Sequence, residues 1–288
     1  MTVKRTFLVA ALLAAVSTAG AVAAAGSAGQ TDSGRTTTAR PGLIVFTRQL
    51  APKYSLLYVV RPDGTGLRRL PSAPDTIDSD PAWTPDGKRI VFVSIRSGLP
   101  DGLYVRGLTG PGARRLMSWP QPAGAFSPAV SRDGKLVAFT RAALDRSSEP
   151  ELWQVNLDGS KLRRLTYTKG REASPDFDPT AQRRVIYYER DGRLYVLGFR
   201  KPVARGTQPA RTPGLLAFVR DGGVYVTNGG KPARIAAGST PAWAPDGSRL
   251  VYAGADGLYT VKPDGSDRRR LTRALGGLRD LDPAWQPS

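Results

Sequence analysis

Pro283-Ala284-Trp285-Gln286-Pro287 stops one residue before the end of the chain, and the same run opens two longer stretches upstream, Pro81-Ala82-Trp83-Thr84-Pro85-Asp86-Gly87 and Pro241-Ala242-Trp243-Ala244-Pro245-Asp246-Gly247. Each longer copy leads into an apolar run, Arg89-Ile90-Val91-Phe92-Val93-Ser94 and Arg249-Leu250-Val251-Tyr252. The last copy has no such continuation. Its counterpart stands at the opposite end, in Gly42-Leu43-Ile44-Val45-Phe46-Thr47-Arg48. A repeat divided between the two ends is what a closed ring of small sheets needs to join itself, and internal repeats decide a fold before local propensity does. The sequence therefore predicts an all-β, six-bladed β-propeller closed by pairing of its N- and C-terminal strands in one blade.

Working outward, further anchors align at Pro128-Ala129-Val130 and Pro175-Asp176-Phe177, with a decayed copy at Pro209-Ala210-Arg211-Thr212-Pro213-Gly214. Periods near 40 residues carrying four short strands are propeller blades. Strand A carries Pro-Ala-Trp, and strand B is an apolar run such as Leu136-Val137-Ala138-Phe139. Strand C reads Leu103-Tyr104-Val105 or Leu258-Tyr259-Thr260-Val261, and strand D carries Arg pairs such as Leu162-Arg163-Arg164-Leu165. Asp-Gly occurs ten times, nearly always between apolar runs. Both residues tolerate the positive φ that tight hairpins demand, so the dipeptide is a strong hairpin signal.

These residues resemble the TolB-type propeller repeat, a relative of WD40 whose blades carry a Pro-x-Trp-Ser-Pro-Asp-Gly-Lys-like motif. The resemblance covers residues 42–288 and implies six blades. That family also has an α/β domain ahead of its propeller, and 30–41 is too short to form one. Roles that depend on that domain are therefore not carried over.

Residues 1–25 read as a secretory signal peptide: Lys4 and Arg5 precede the apolar run Phe7 to Val16, with small residues allowing cleavage after Ala23 or Ala25. The apolar stretch is shorter than the roughly 20 residues of a membrane span. Residues 26–41 read as a flexible leader, and 42–288 as the propeller. The expected location is secreted, or the periplasmic or cell-wall space. Retention of the signal as an anchor stays open.

The formal charge is +18. Two readings of this charge stay open: Arg that simply fills surface positions, or a field that outside the cytoplasmic membrane addresses anionic wall polymers or lipid head groups instead of nucleic acid. The Arg pairs of strand D fall on the outer edge of each blade, where charge discourages edge-to-edge pairing. The recurring Trp83, Trp243 and Trp285 read as packing between blades.

Candidate binding residues follow from the topology. Loops entering strand A surround the channel mouth, which gathers Asp78, Asp80, Arg171, Glu172, Asp280 and Asp282. The same face carries the longest B-to-C connections, over Gln49 to Ser55, Ser94 to Gly102 and Ala142 to Pro150. They offer a loop-face surface at Tyr54, Arg96, Leu99 and Arg146. Whether the mouth holds a cation stays open.

The chain has neither histidine nor cysteine. That removes the Ser-His-Asp triad, cysteine nucleophiles and nearly every catalytic zinc site. The expectation is a non-catalytic, monomeric module that needs no cofactor and binds an envelope protein or peptide. The alternative is a carbohydrate- or metal-binding protein using the acidic mouth, including a carboxylate-only glycosidase.

Overall fold

The structure, a computed structural model, describes residues 42–96, 101–110, 112–118, 123–143, 148–181 and 184–287. The signal peptide and leader expected over 1–41 lie outside the described residues. So do Leu99 and Arg146. Among the described residues every regular element is a strand, and no helix is long and apolar enough to cross a membrane.

Apolar runs separated by Asp-Gly turns fold into four-stranded antiparallel sheets. The first blade uses β1 (Ile44–Ala51), β2 (Tyr54–Val60) and β3 (Arg68–Arg69). The second is β4 (Thr76–Trp83), β5 (Arg89–Arg96), β6 (Gly102–Gly107) and β7 (Arg114–Ser118). The third is β8 (Ala123–Val130), β9 (Leu136–Ala143), β10 (Glu151–Asn156) and β11 (Arg163–Arg164). The fourth is β12 (Glu172–Phe177), β13 (Ile186–Arg190), β14 (Arg193–Val196) and β15 (Ala204–Arg205). The fifth is β16 (Thr207–Thr212), β17 (Leu215–Arg220), β18 (Gly223–Thr227) and β19 (Ala233–Ala237). The sixth is β20 (Ser239–Trp243), β21 (Leu250–Gly254), β22 (Gly257–Val261) and β23 (Arg269–Arg270).

The first blade takes its fourth strand from the far end of the sequence. β24 (Arg279–Trp285) pairs antiparallel with β1, placing Ile44 opposite Trp285 and Val45 opposite Ala284. Gln286 adds a clasp. Its amide donates to the Leu43 carbonyl at 2.8 Å, its Oε1 accepts from the Leu43 amide at 2.8 Å, and its Nε2 donates to the Gly87 carbonyl at 2.7 Å. Gly87 has φ +62, and a Cβ there would lie 2.9 Å from the Pro287 carbonyl oxygen, so the second blade's turn meets the seam where only glycine fits.

Strands β24, β4, β8, β12, β16 and β20 each touch the equivalent strand of both neighbouring blades, so they form the hub of a closed ring. A hydrophobic cluster fills every blade junction. At the seam Ile44, Phe46 and Val60 pack on Val251, Ala253 and Leu258. On the other side of the first blade, Val45, Leu57 and Val59 pack on Trp83, Ile90 and Phe92. Because each sheet is covered on both faces, the strand B runs are buried continuously instead of alternating.

The recurring aromatics are structural. Trp83 Nε1 donates to the Ala284 carbonyl at 3.1 Å and Trp243 Nε1 to the Ala210 carbonyl at 3.0 Å, each reaching the hub strand of the preceding blade. The Arg pairs occupy outermost strands in four blades, as at Arg68–Arg69 and Arg269–Arg270.

Candidate functional site

Each hub strand is interrupted by a β-bulge just before its proline. The pairing of strands A and B shifts between Ser79 and Ala82, Phe126 and Ala129, Ala173 and Asp176, Thr207 and Ala210, and Ser239 and Ala242, with a matching shift between β1 and β24. The residue ahead of each proline is in the left-handed region: Asp80, Ser127, Ser174, Gln208, Thr240 and Asp282, with φ between 45° and 51°. Bulges bend a strand and re-aim its side chains.

These six residues form a belt of hydrogen bonds running around the hub. The amide of each is accepted by a side chain of the preceding blade. Ser127 N–H donates to Asp80 Oδ1 at 3.2 Å, Thr240 N–H to Gln208 Oε1 at 2.9 Å, and Asp282 N–H to Thr240 Oγ1 at 3.3 Å. The remaining three use strand B: Asp80 N–H donates to Thr47 Oγ1 at 3.1 Å, Ser174 N–H to Thr140 Oγ1 at 3.1 Å, and Gln208 N–H to Glu189 Oε2 at 2.9 Å. The bulge amides, freed from their own ladder, are thereby satisfied between blades.

The belt carries the acidic pair expected at the mouth. Burial and the neighbouring Asp80 charge push the Asp282 carboxyl up to about 8, against the opposing hydrogen bond from Thr47. Asp80 is also raised by burial, although Ser79 and Ser127 donate to it. Deeper along the hub, burial raises Asp176 to about 7 even though its Oδ2 accepts the Arg211 amide at 2.7 Å. Burial raises Glu189 as well.

The other acidic mouth candidates are committed to internal contacts. Asp280 is buried, with Arg48 Nε at 2.6 Å and Arg48 Nη2 at 2.7 Å. Asp78 is buried and accepts from Ser94 Oγ at 2.6 Å. Glu172, 1% exposed, accepts from the Thr168 hydroxyl and lies 3.8 Å from Arg190. The bulge explains the division. These three residues sit before it, paired opposite Ser94, Arg48 and Arg190, whereas Asp80 and Asp282 belong to it.

Arg171 lies apart from the acidic pair, at a cavity of about 530 Å³ on the mouth face where the third and fourth blades meet. Glu149, Glu151, Arg164, Lys169 and Asp191 share its walls. Arg164 is paired with Glu151 at 3.2 Å and lies 4.7 Å from the ring of Tyr167, which is 77% exposed. Among the described residues Glu149, Lys169 and Arg171 form no ion pair. The composition of this cavity was not visible in the sequence, because it draws on two blades and a strand end.

The loop-face residues differ among themselves. Tyr54 begins β2 and is 40% exposed. The connection over Gln49 to Ser55 is a continued hairpin, with Ala51 opposite Tyr54. Arg96 ends β5 and stacks on Tyr104 at 4.0 Å while donating to Ser94 Oγ at 3.2 Å, so its guanidinium is engaged within its own blade. Among the described residues no group of three or more acidic side chains could hold a metal ion.

Comparison with known proteins agrees with this architecture. No protein-family model matches the chain. It is 38% identical over 95 residues to the Tol-Pal system protein TolB of Anaeromyxobacter dehalogenans (strain 2CP-C), covering 33% of this chain and 20% of that protein. It is 29% identical over 134 residues to the protein TolB homolog of Chlorobium luteolum, covering 46% of this chain and 29% of the relative. The matched part is thus less than a third of either relative. Among solved structures, TolB from Acinetobacter baumannii superposes with a TM-score of 0.65 at 22% identity, covering 86% of this chain and 67% of that one. A chain of a nidogen/laminin complex superposes with a TM-score of 0.68 at 13% identity, covering 85% and 98%. The ring is a TolB-like six-bladed β-propeller.

Proposed function

We propose that this ring is an exported, non-catalytic binding module that holds a protein or peptide of the cell envelope on its mouth face. The observation that carries the reading is the cavity beside Arg171. It presents charges of both signs, Glu149, Lys169 and Arg171, that form no ion pair among the described residues, next to the exposed Tyr167. A polypeptide offers that combination of cation, anion and apolar surface, and aromatic residues with arginine dominate protein-binding energetics. Tyr54, Ile95 and Leu275 add exposed apolar surface in connections or strand ends of the same face. Two further facts support an envelope setting: the signal-like sequence of residues 1–25, and similarity to proteins whose name ties them to the Tol-Pal system.

The test is a comparison of immobilised wild-type ring with a Tyr167→Ala, Arg171→Glu double variant in an envelope extract, with bound proteins quantified by mass spectrometry. The reading predicts a polypeptide enriched on the wild type and lost from the variant. Equal recovery on both contradicts it.

The neighbouring carboxyls Asp80 and Asp282, both raised by burial, favour a second reading, in which the hub receives a glycan at this pair. Calorimetric titration with wall-type oligosaccharides separates the two, since only the second reading makes binding depend on Asp282.

A further inference from the structure

On the underside of the ring, a cavity of about 620 Å³ opens at the third blade, where it adjoins the fourth. Its floor is Leu136, Gln154 and Leu157, all buried, and its walls carry Lys135, Lys161, Arg163 and Arg184. Two carboxylates are close. Asp133 is taken by Arg184 at 2.6 Å, and Asp158, a lining residue, accepts from the Ser160 amide at 2.8 Å and hydroxyl at 2.6 Å within its turn. Lys135, Lys161 and Arg163 have no ion-pair partner among the described residues. Arg163 Nη2 donates to Gln154 Oε1 at 3.4 Å.

The sixth blade shows one way in which the chain itself fills this place. Its turn Asp264-Gly265-Ser266-Asp267-Arg268-Arg269-Arg270 matches Asp158-Gly159-Ser160-Lys161-Leu162-Arg163-Arg164, and the strand pairings agree: Arg269 opposes Thr260 as Arg163 opposes Gln154. Asp267 and Lys161 hold the same left-handed position, φ +50 and +56. Arg249, two residues before Val251, corresponds to Leu136, two before Ala138. In the sixth blade Arg249 Nη1 reaches Asp267 Oδ2 at 2.6 Å, and Arg269 Nε reaches Asp267 Oδ1 at 2.8 Å. The two guanidiniums, Arg269 foremost, hold the Asp267 carboxyl down at about 2. That niche is plugged and neutralised by the chain itself.

In the third blade the plug is a leucine and the carboxylate is a lysine. The strand D arginine is retained, while the acceptor that satisfies it in the sixth blade has been replaced by a second cation. We propose that this cavity binds an external oxyanion, a carboxylate or phosphate group, which takes the place that the Asp267 carboxylate fills in the sixth blade. Arg163 and Lys161 would grip the anion, since charge-assisted hydrogen bonds from guanidinium to carboxylate or phosphate are short and strong. The buried apolar floor of Leu136 and Leu157 suits a sugar- or polyol-sized body attached to it, in keeping with pockets that combine apolar walls and a few convergent polar groups. The site lies on the face opposite the mouth, so it stands or falls independently of the polypeptide reading.

The experiment is calorimetric titration of the purified protein with three probes: inorganic phosphate, trigalacturonate and a glycerol phosphate oligomer. At least one should bind, more weakly as salt rises, and the tighter of the last two names the source of the oxyanion. Lys161→Asp with Leu136→Arg installs the sixth blade's own pair and should weaken that binding by about tenfold or more. The exposed single variant Lys161→Ala, whose melting should match wild type, should weaken it in the same direction, while Arg171→Ala on the opposite face should leave it unchanged. Absence of binding by all three probes, or affinity unaltered in both position-161 variants, overturns the proposal.

Discussion

Arg48 and Asp280 lie 232 residues apart in sequence and meet as a buried, doubly hydrogen-bonded ion pair, at 2.6 and 2.7 Å, inside the one sheet that holds both ends of the propeller. Thr272 also donates its hydroxyl to Asp280, and the Arg48 guanidinium stands 5.1 Å from the ring of Tyr58. Arg48 sits on β1 and Asp280 on β24, so the pair fastens the seam from within. Removing one partner leaves a charge stranded in a buried site. Arg48→Met should cost about 3–5 kcal/mol in urea unfolding, and Arg48→Met with Asp280→Leu distinctly less. A single variant with wild-type stability contradicts this role.

The second prediction concerns pH. The raised carboxyls Asp282 and Asp176, at about 8 and about 7, titrate near about 4 when unfolded. Each binds its proton more tightly in the ring than in the open chain. The stability linked to that proton is therefore full below about pH 4 and is lost as pH rises through the folded value. Carboxyls held at about 2, such as Asp133 and Asp267, act oppositely and lose their contribution only as pH falls from about 4 toward 2. Stability should accordingly rise as pH falls from about 8 to about 5. Asp282→Asn should raise the melting midpoint at pH 8 and flatten that slope. A variant whose profile stays parallel to wild type would show that Asp282 does not titrate between about pH 5 and 8.

The belt yields a third prediction. Gln208→Ala removes the acceptor of the Thr240 amide and should cost about 1–2 kcal/mol. Hydrogen exchange at Thr240 should accelerate more than at Ser127, whose amide is held by Asp80 instead. Uniform acceleration around the hub would mean that the inter-blade bonds are not separate.

Much of the ring was legible because its determinants are repeated letters. Pro-Ala-Trp, Asp-Gly and the apolar strand B recur with the blade, and the divided repeat at Pro283 and Leu43 announced the closure seen between β24 and β1. The belt was not legible in the same way. Its positions hold Asp, Ser, Ser, Gln, Thr and Asp, which share a backbone conformation and a polar side chain but no common letter. The signal available was that each of the six hub prolines follows a polar residue. The acidic mouth was half visible: Asp80 and Asp282 are on the belt, while Asp78 and Asp280, two residues earlier, pair inward once the bulge intervenes. The underside cavity required the blades to be superposed, since Leu136 and Lys161 are unremarkable until set beside Arg249 and Asp267.

A fourth prediction tests the aromatic anchors. Trp83→Phe keeps most of the buried ring but deprives the Ala284 carbonyl of its donor, at a cost of about 1–3 kcal/mol. Trp83→Ala should cost about 3–5 kcal/mol through the cavity it leaves. Equal losses for the two would assign the whole effect to the hydrogen bond, and no loss for Trp83→Phe would assign it to packing.

Unfolding of a chain lacking residues 283–288 addresses ring closure most directly. The deletion removes Ala284 and Trp285 from the seam sheet and takes away the Gln286 clasp on Leu43 and Gly87. A closed ring predicts a lower urea midpoint, a shallower transition and lost amide protection along β1. A truncated chain that unfolds with wild-type midpoint and slope, with β1 still protected, would contradict it.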